Sequence, residues 1–236
     1  MLPTIATPKY DMIVPSTGET LTYRPYVVKE EKILLIALES EDELAIERSI
    51  ADLIKSCVET PFNIKELTNF DMEYIFTVLR SKSVGEGIKL AIPCEAEDCD
   101  NKTNIVIDLE ELRIDNLEKA QDTHIKINDE ISVDMKWLGY GDRLSQAQRK
   151  TNTEALINTI AKSVETIYQG EKTFACKDAP FKEVVAFVES LNSEQFQTIG
   201  DFLTNAPALA YTIEFDCTAC EHHNEKELTG MNDFFT

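Results

Sequence analysis

The chain has 236 residues, of which 43 are acidic and 23 are Lys or Arg, so its formal net charge is −20 at neutral pH. A protein that neutralises phosphates needs a basic surface, and this balance disfavours nucleic-acid binding. The one modestly basic stretch, 143–150, is interrupted by glutamines and indicates a solvated helix face. The longest apolar run, 33–38, is too short to span a bilayer, and residues 1–8 do not have the pattern of a signal peptide. We therefore expect a soluble protein that is cytosolic when made.

Residues 1–26 are predicted to form an extended N-terminal arm. Prolines are spaced along this segment, and proline both removes a backbone donor and disfavours helix before it. One short hairpin is expected around 16–18, where Ser-Thr-Gly indicates a turn. The arm carries Tyr10, Tyr23, Arg24 and Tyr26, which are of the residue types that anchor interfaces, so it is suited to lie along a neighbouring subunit. The alternative, left open for its C-terminal half, is an arm folded back on its own domain.

Residues 27–236 are predicted to form a single α+β domain that is mostly helical, with short antiparallel hairpins. The pattern Ser-Glu-Asp-Glu at 40–43 is typical of a capping box and predicts a helix start. Strict alternation on both sides of Asn128-Asp129 predicts a β-hairpin over 124–137. The other helices are expected at 27–38, 64–81, 144–168, 180–191 and from 193 to before Pro207.

Two cysteine pairs, Cys94/Cys99 and Cys217/Cys220, lie at the tips of two further predicted hairpins, 88–109 and 209–228. Alternating apolar residues lead into each pair and a polar turn follows it. Four thiolates on two hairpins match the closed, tetrahedral kind of structural Zn²⁺ site, which leaves no position open for a substrate. The sequence therefore predicts a zinc-ribbon-like lobe in which Cys94, Cys99, Cys217 and Cys220 bind one structural zinc ion.

The cysteines also have interpretations other than four zinc ligands. Two disulfides or four unrelated thiols are the competing interpretations, but disulfides are typical of secreted chains. His222 and His223 follow the second pair, and either could replace a cysteine as the fourth ligand. Cys57 falls on the apolar face of the predicted second helix and is expected to be a core residue, whereas the role of Cys176 is left open.

The sequence contains no motif that is typical of an enzyme active site. The phosphate-binding loop, the dinucleotide fingerprint and the nucleophile elbow are all absent. Gly139-Tyr-Gly141 lacks the third glycine of the fingerprint and is better interpreted as a turn. Asp98, Asp100 and Asp108 near the first cysteine pair fit no calcium loop. We expect no catalytic residues and no small-molecule substrate.

Three segments carry a family resemblance. The first begins with Val14-Pro-Ser-Thr-Gly18 and Tyr23-Arg-Pro-Tyr26 and continues over 28–40. The second, 67–86, reads Leu-Thr-Asn-Phe-Asp-Met-Glu-Tyr-Ile-Phe at its start and runs straight into the first cysteine pair. The third is the second cysteine pair with the ending Asn232-Asp-Phe-Phe235. In order and spacing they resemble the baseplate hub proteins of contractile-tailed bacteriophages of the T-even type, whereas 110–203 matches only in general character.

The resemblance implies a non-enzymatic component or assembly factor of the central hub of the tail baseplate. Its partners would be other baseplate and hub proteins, with no nucleic acid and no membrane. It would act in the host cytoplasm during assembly, or remain in the baseplate of the virion tail. The alternative is a zinc-ribbon regulator that binds nucleic acid, against which the acidic balance argues. Phe234 and Phe235 are expected to dock near the metal lobe or in a partner, since free aromatic rings would remain in water.

Overall fold

The computed structural model of the chain describes residues 6–40, 42–109, 111–118, 122–141 and 152–229. Contacts along the chain divide it into two compact units. The first contains the described residues of Met1–Phe62, Phe70–Asp115 and Ala208–Thr236, and the second those of Asn63–Asn69 and Asn116–Pro207. The predictions for the basic stretch 143–150 and for Phe234 and Phe235 lie outside the described residues. The division into an arm, 1–26, and a single domain, 27–236, stays a prediction.

Helices and antiparallel strands are mixed throughout the described residues. The helices are α1 (Val28–Glu39), α2 (Glu43–Cys57), α3 (Asn69–Val84), α4 (Asn152–Ser163), α5 (Phe181–Glu189) and α6 (Ser193–Thr204). The strands are β1 (Tyr10–Ile13), β2 (Thr20–Tyr23), β3 (Gly87–Pro93), β4 (Lys102–Asp108), β5 (Arg113–Asp115), β6 (His124–Lys126), β7 (Ile131–Met135), β8 (Val164–Gln169), β9 (Lys172–Ala175), β10 (Ala208–Asp216) and β11 (His223–Thr229). The prediction of a mostly helical fold is not confirmed, since antiparallel strands are prominent alongside the helices in the described residues. Several strands have only three or four residues, which is too short to show an alternating pattern in the sequence.

The hairpin predicted around 16–18 is confirmed: β1 and β2 pair antiparallel, with Tyr10 opposite Tyr23. Its inward side chains, Met12, Val14, Leu21 and Tyr23, are buried. The turn is tied to α3, because Ser16 donates hydrogen bonds from its amide and its hydroxyl to the two carboxylate oxygens of Asp71, at 2.9 and 2.6 Å. These contacts agree with the alternative in which this part of the arm folds back on the chain's own core.

Two helix starts differ from prediction for local reasons. Asp42, rather than Ser40, caps α2 by accepting hydrogen bonds from the amides of residues 44 and 45, while the Ser40 hydroxyl donates to the last turn of α1. The third helix starts at Asn69 instead of residue 64, because the Asn63 side chain accepts from the Lys65 amide and closes a separate turn.

Two hairpins of the first unit share one hydrophobic core. Strands β3 and β4 form one hairpin, and β10 and β11 form the other, with β5 on the free side of β10. Residues of β3 alternate strictly between buried and exposed, as predicted. The core that joins the hairpins contains Ile88, Leu90, Ile92, Ile107, Leu109, Leu112, Leu209, Ile213 and Leu228. Because this core packs the two hairpins together, it brings their tips to one place.

The second unit contains a four-stranded sheet of order β6-β7-β8-β9 and helices α4 to α6. Its core includes Val133, Met135, Ile160 and Ile199. The predicted hairpin over 124–137 is confirmed by the pairing of β6 with β7. The helix predicted over 144–168 is wrong at its C-terminal end, since α4 stops at Ser163 and the next six residues form β8. The β-branched and aromatic residues of Val-Glu-Thr-Ile-Tyr favour a strand there.

The Gly-Tyr-Gly segment packs closely on the backbone of the second unit. Gly139 forms an isolated antiparallel bridge with Thr68. A Cβ atom at Gly139 would lie 2.3 Å from the carbonyl oxygen of Lys65, so only glycine fits this approach. The glycine is therefore required by packing. Its interpretation as a turn is not confirmed, because Gly139 lies in the bridge and Tyr140 and Gly141 are helical.

Candidate metal centre

The first hairpin places two of the predicted ligands around the turn between β3 and β4. The amide of Cys94 donates to the carbonyl of Asn101 at 2.9 Å, which continues the ladder one step past the strands. The amide of Cys99 donates to the carbonyl of Ala96 at 3.1 Å and closes a tight turn. These hydrogen bonds hold both thiols at the same end of the hairpin.

The second hairpin forms a tighter loop between β10 and β11. The Cys217 amide donates to the carbonyl of His222 at 2.9 Å, and its carbonyl accepts from the Glu221 amide at 3.0 Å. Glu221 has a φ of 57°, in the left-handed region that a compact turn of this kind requires. The Cys-x₂-Cys spacing thus folds so that the first thiol is buried and that of Cys220 is exposed.

The four sulfur atoms from the two tips form one cluster. The Sγ atoms of Cys94 and Cys220 are 3.7 Å apart, and those of Cys99 and Cys217 are 3.8 Å apart. All four atoms lie within 4.8 Å of one another. Four sulfur atoms placed about 2.3 Å from a zinc ion in a regular tetrahedron are roughly 3.8 Å apart. The cluster therefore has the dimensions of a tetrathiolate zinc site and could hold such an ion.

The observed separations do not agree with the disulfide interpretation. All six cysteines are free thiols, and sulfur atoms joined in a disulfide lie about 2.05 Å apart. The closest contacts also join cysteines of different hairpins, whereas the competing interpretation pairs cysteines within each hairpin. The four thiols therefore meet as a set of possible ligands.

Hydrogen bonds to sulfur favour the thiolate form of Cys217. The backbone amide of Ala219 donates to its Sγ at 3.5 Å, and the Asn101 side chain donates to the same atom at 3.4 Å. These donors, the Ala219 amide first, lower the pKa of the Cys217 thiol to about 5. The backbone amide of His222 lowers the pKa of Cys220, but desolvation and the neighbouring sulfur atoms outweigh it and raise that pKa to about 12. The hydrogen bonds therefore favour the thiolate at Cys217, whereas the neighbouring sulfur atoms disfavour it at Cys220.

Two asparagines support the cluster, and the sequence pattern did not identify either. Asn101 also donates to the Thr218 hydroxyl at 2.9 Å, which links the two tips directly. Asn224 is almost completely buried; it accepts from the Glu95 amide at 2.8 Å and donates to the His222 carbonyl at 2.8 Å. Because asparagine is common in turns, its presence near the cysteines does not by itself indicate that it supports a metal site.

The alternative ligands lie elsewhere. His223 is exposed, and its Nδ1 contacts a carboxylate oxygen of Asp216 at 2.9 Å, which raises its pKa. Among the described residues, the cluster that could hold a metal contains the four cysteines and neither His222 nor His223. Cys57 is fully buried in the core, as predicted. Cys176 is half-buried against the core of the second unit and is not part of the cluster.

Comparison with known proteins identifies the family of the chain. Two hairpins bring together four thiols that could hold a metal ion, an arrangement suited to joining two segments of the chain. The chain belongs to the T4 bacteriophage base plate protein family, whose model matches residues 7–236. No curated protein and no solved structure matches it.

The family match confirms the coarser part of the resemblance, since this is a phage baseplate protein. A baseplate protein is part of the virion tail and contacts other baseplate proteins. None of the helices in the described ranges combines the length and the apolar character needed to cross a membrane.

Proposed function

We propose that this chain is a non-enzymatic structural or assembly protein of the baseplate hub, held together by one structural Zn²⁺ and acting through protein–protein contacts. The observation that carries the proposal is the meeting of four thiols from two hairpins in a member of a phage baseplate family. Its partners are other baseplate and hub proteins. It works in the host cytoplasm during assembly and takes its place in the virion tail.

The donor set supports zinc as the ion. Thiolate ligands are soft and select zinc over magnesium or calcium, which prefer oxygen. Cys94, Cys99, Cys217 and Cys220 would complete the tetrahedron, so no coordination position remains for a water or a substrate. A closed site of this kind stabilises a fold and does not activate a reactant. The proposed ion would join β-hairpins whose cysteines are as many as 126 residues apart.

The hub assignment is supported by the sequence segments that carry the resemblance. The segment 14–40 contains α1 and the turn of the first hairpin, which is hydrogen-bonded to Asp71. The segment 67–86 contains α3. Both segments contribute buried side chains, including Tyr23, Tyr26 and Ile75. The resemblance therefore covers parts of the chain that build its first unit.

The surroundings of the hairpin tips do not favour nucleic acid as the partner. Exposed carboxylates flank the cysteines on both tips, and phosphates would be repelled by them. They belong to Glu95, Glu97, Asp98, Asp100, Glu221 and Glu225. The alternative of a zinc-ribbon regulator predicts steep, salt-dependent binding to DNA or RNA, and a binding assay at low salt tests it.

Recovery of the tagged chain from phage-infected cells tests the proposal. After cross-linking, mass spectrometry should find hub proteins enriched with the wild-type chain. They should be reduced with a Cys217→Ser/Cys220→Ser variant and unchanged with Cys176→Ser. Enrichment of baseplate proteins from outside the hub alone would contradict the hub assignment, and recovery of none would contradict the assembly role.

A further inference from the structure

Helix α1 exposes apolar side chains on the side that faces away from the core. Val28 is 77% exposed, Ile33 and Leu35 are each 53% exposed, and Ile36 is 56% exposed. The opposite side of the helix buries Leu34 and Ala37 in the first unit. A helix that is apolar on both sides has a second surface suited to contact with protein.

Charged residues on the same side of α1 are arranged by sign. Lys29 and Lys32 lie towards the N-terminal end, and Glu39 is the last residue of the helix. Within the described residues no ion pair is found for these three side chains, although Arg24, Lys55 and other cations of the first unit are paired. We refer to Val28, Lys29, Lys32, Ile33, Leu35, Ile36 and Glu39 as the α1 outer face.

We propose that the α1 outer face binds the α1 outer face of a second copy of this chain, with the two helices antiparallel around a two-fold axis. An axis level with residue 34 places Lys29 opposite Glu39 of the second copy. The same axis places Ile36 opposite the aliphatic part of Lys32 of that copy, near the middle of the face. Each contact occurs twice, as an isologous interface requires.

Charge complementarity favours a second copy over an unrelated partner. Because the cations lie near one end of α1 and the carboxylate at the other, the face is complementary to itself only when the helices run in opposite directions. Antiparallel helices also place their dipoles favourably, whereas parallel ones would bring like charges together. The net charge of −20 opposes association, but at about 0.15 M salt the screening length is only about 8 Å.

The size of the face sets the expected strength. A helix of 12 residues is about 18 Å long, and one helix face offers less than the roughly 800 Å² per partner of a standard interface. We therefore expect a weak dimer whose population rises with concentration. This inference goes beyond the proposed function and does not depend on the metal.

Sedimentation velocity on the full-length chain, over a range of concentrations at about 0.15 M salt, tests the pairing. Wild type should shift from monomer to dimer as its concentration rises. Ile36→Asn should weaken the dimer by at least about tenfold, because it places a polar amide in the apolar contact. The matched control is Leu156→Asn, since Leu156 is also exposed on a helix and should leave the dimer unchanged.

Charge reversal gives the sharper result. Lys29→Glu and Glu39→Lys should each weaken the homodimer, since each places like charges opposite one another twice. An equimolar mixture of the two variants should dimerise again, because both opposed pairs then carry opposite charges. Failure of the mixture to recover the dimer overturns the proposal, as does a wild type that stays monomeric or a Leu156→Asn variant as weak as Ile36→Asn. Circular dichroism confirms that each variant is folded; if Ile36→Asn is not, the charge-reversed pair decides.

Discussion

Replacement of Cys220 by serine tests whether the four thiols act as one metal site. Cys220 is the exposed member of the cluster, so removal of its sulfur leaves no cavity in the core. Serine is not among the ligands that zinc usually takes. We therefore expect Cys220→Ser to lose most of the bound zinc and a substantial part of the stability of the first unit.

The size of the effect follows from linkage. A metal that binds only the folded chain stabilises it by about 4 kcal/mol when its free concentration exceeds the dissociation constant about 1,000-fold. Chain entropy gives a similar figure, since Cys94 and Cys220 are 126 residues apart, and a cross-link that closes such a loop is worth about 5 kcal/mol. A loss of about 4 kcal/mol lowers the Tm of a chain of this size by about 8–16 °C.

Thermal unfolding followed by circular dichroism measures the difference at a fixed free zinc concentration. The matched control is Cys176→Ser, because Cys176 is a thiol outside the cluster and should leave both zinc content and Tm close to those of wild type. Hydrogen exchange should locate the loss of protection in β3, β4, β10 and β11.

Chelation supplies the second arm of the same test. Removal of zinc from wild type should reproduce the Tm of Cys220→Ser, and chelation of the variant should add little, because both changes remove the same interaction. The reasoning is refuted if the variant melts at the wild-type Tm, or if a chelator lowers the Tm of both proteins equally.

Two further predictions concern the N-terminal part of the chain. Ser16→Ala should lower the free energy of unfolding by about 1.5–3 kcal/mol, because the Ser16 hydroxyl donates to the fully buried carboxylate of Asp71. The neighbouring control Thr17→Ala should change it by no more than about 0.5 kcal/mol in the same denaturant unfolding. Equal effects of the two variants would contradict a stabilising role of the Ser16–Asp71 hydrogen bond. Burial raises the pKa of Glu30, but hydrogen bonds from the Val27 amide and from the Arg24 guanidinium lower it more. The pKa of Glu30 is therefore below its ordinary value of 4.5. Glu30 therefore stabilises the fold above pH 4.5, and this contribution is lost as the pH falls through the lowered pKa. Glu30→Gln should accordingly be less stable than wild type at pH 7 and approach it in acid; a difference that does not change with pH would contradict this.

The sequence predicted those features that depend on strong local patterns. Ile88, Leu90 and Ile92 alternate with exposed residues over a full strand, so the hairpin that carries Cys94 and Cys99 could be identified. The spacing of the cysteines placed all four at hairpin tips, where the structure brings them together.

Features set by tertiary contacts or by competing local signals were not predicted. The apolar residues of β8, including Ile167, also fit the helical pattern that precedes them, and only pairing with β7 and β9 distinguishes the strand. Asn101 and Asn224 support the cluster through bonds to residues more than a hundred positions away. The spacing of residues in the sequence cannot predict hydrogen-bond partners that are so far apart along the chain.

Native mass spectrometry of the full-length chain, purified under reducing conditions without added metal, tests most directly whether the two hairpins share a zinc ion. About one Zn²⁺ per chain is expected, retained in Cys176→Ser and lost in Cys217→Ser and Cys220→Ser. Zinc-free wild-type protein, or Cys94–Cys99 and Cys217–Cys220 disulfides in a fresh reduced lysate, would contradict the account.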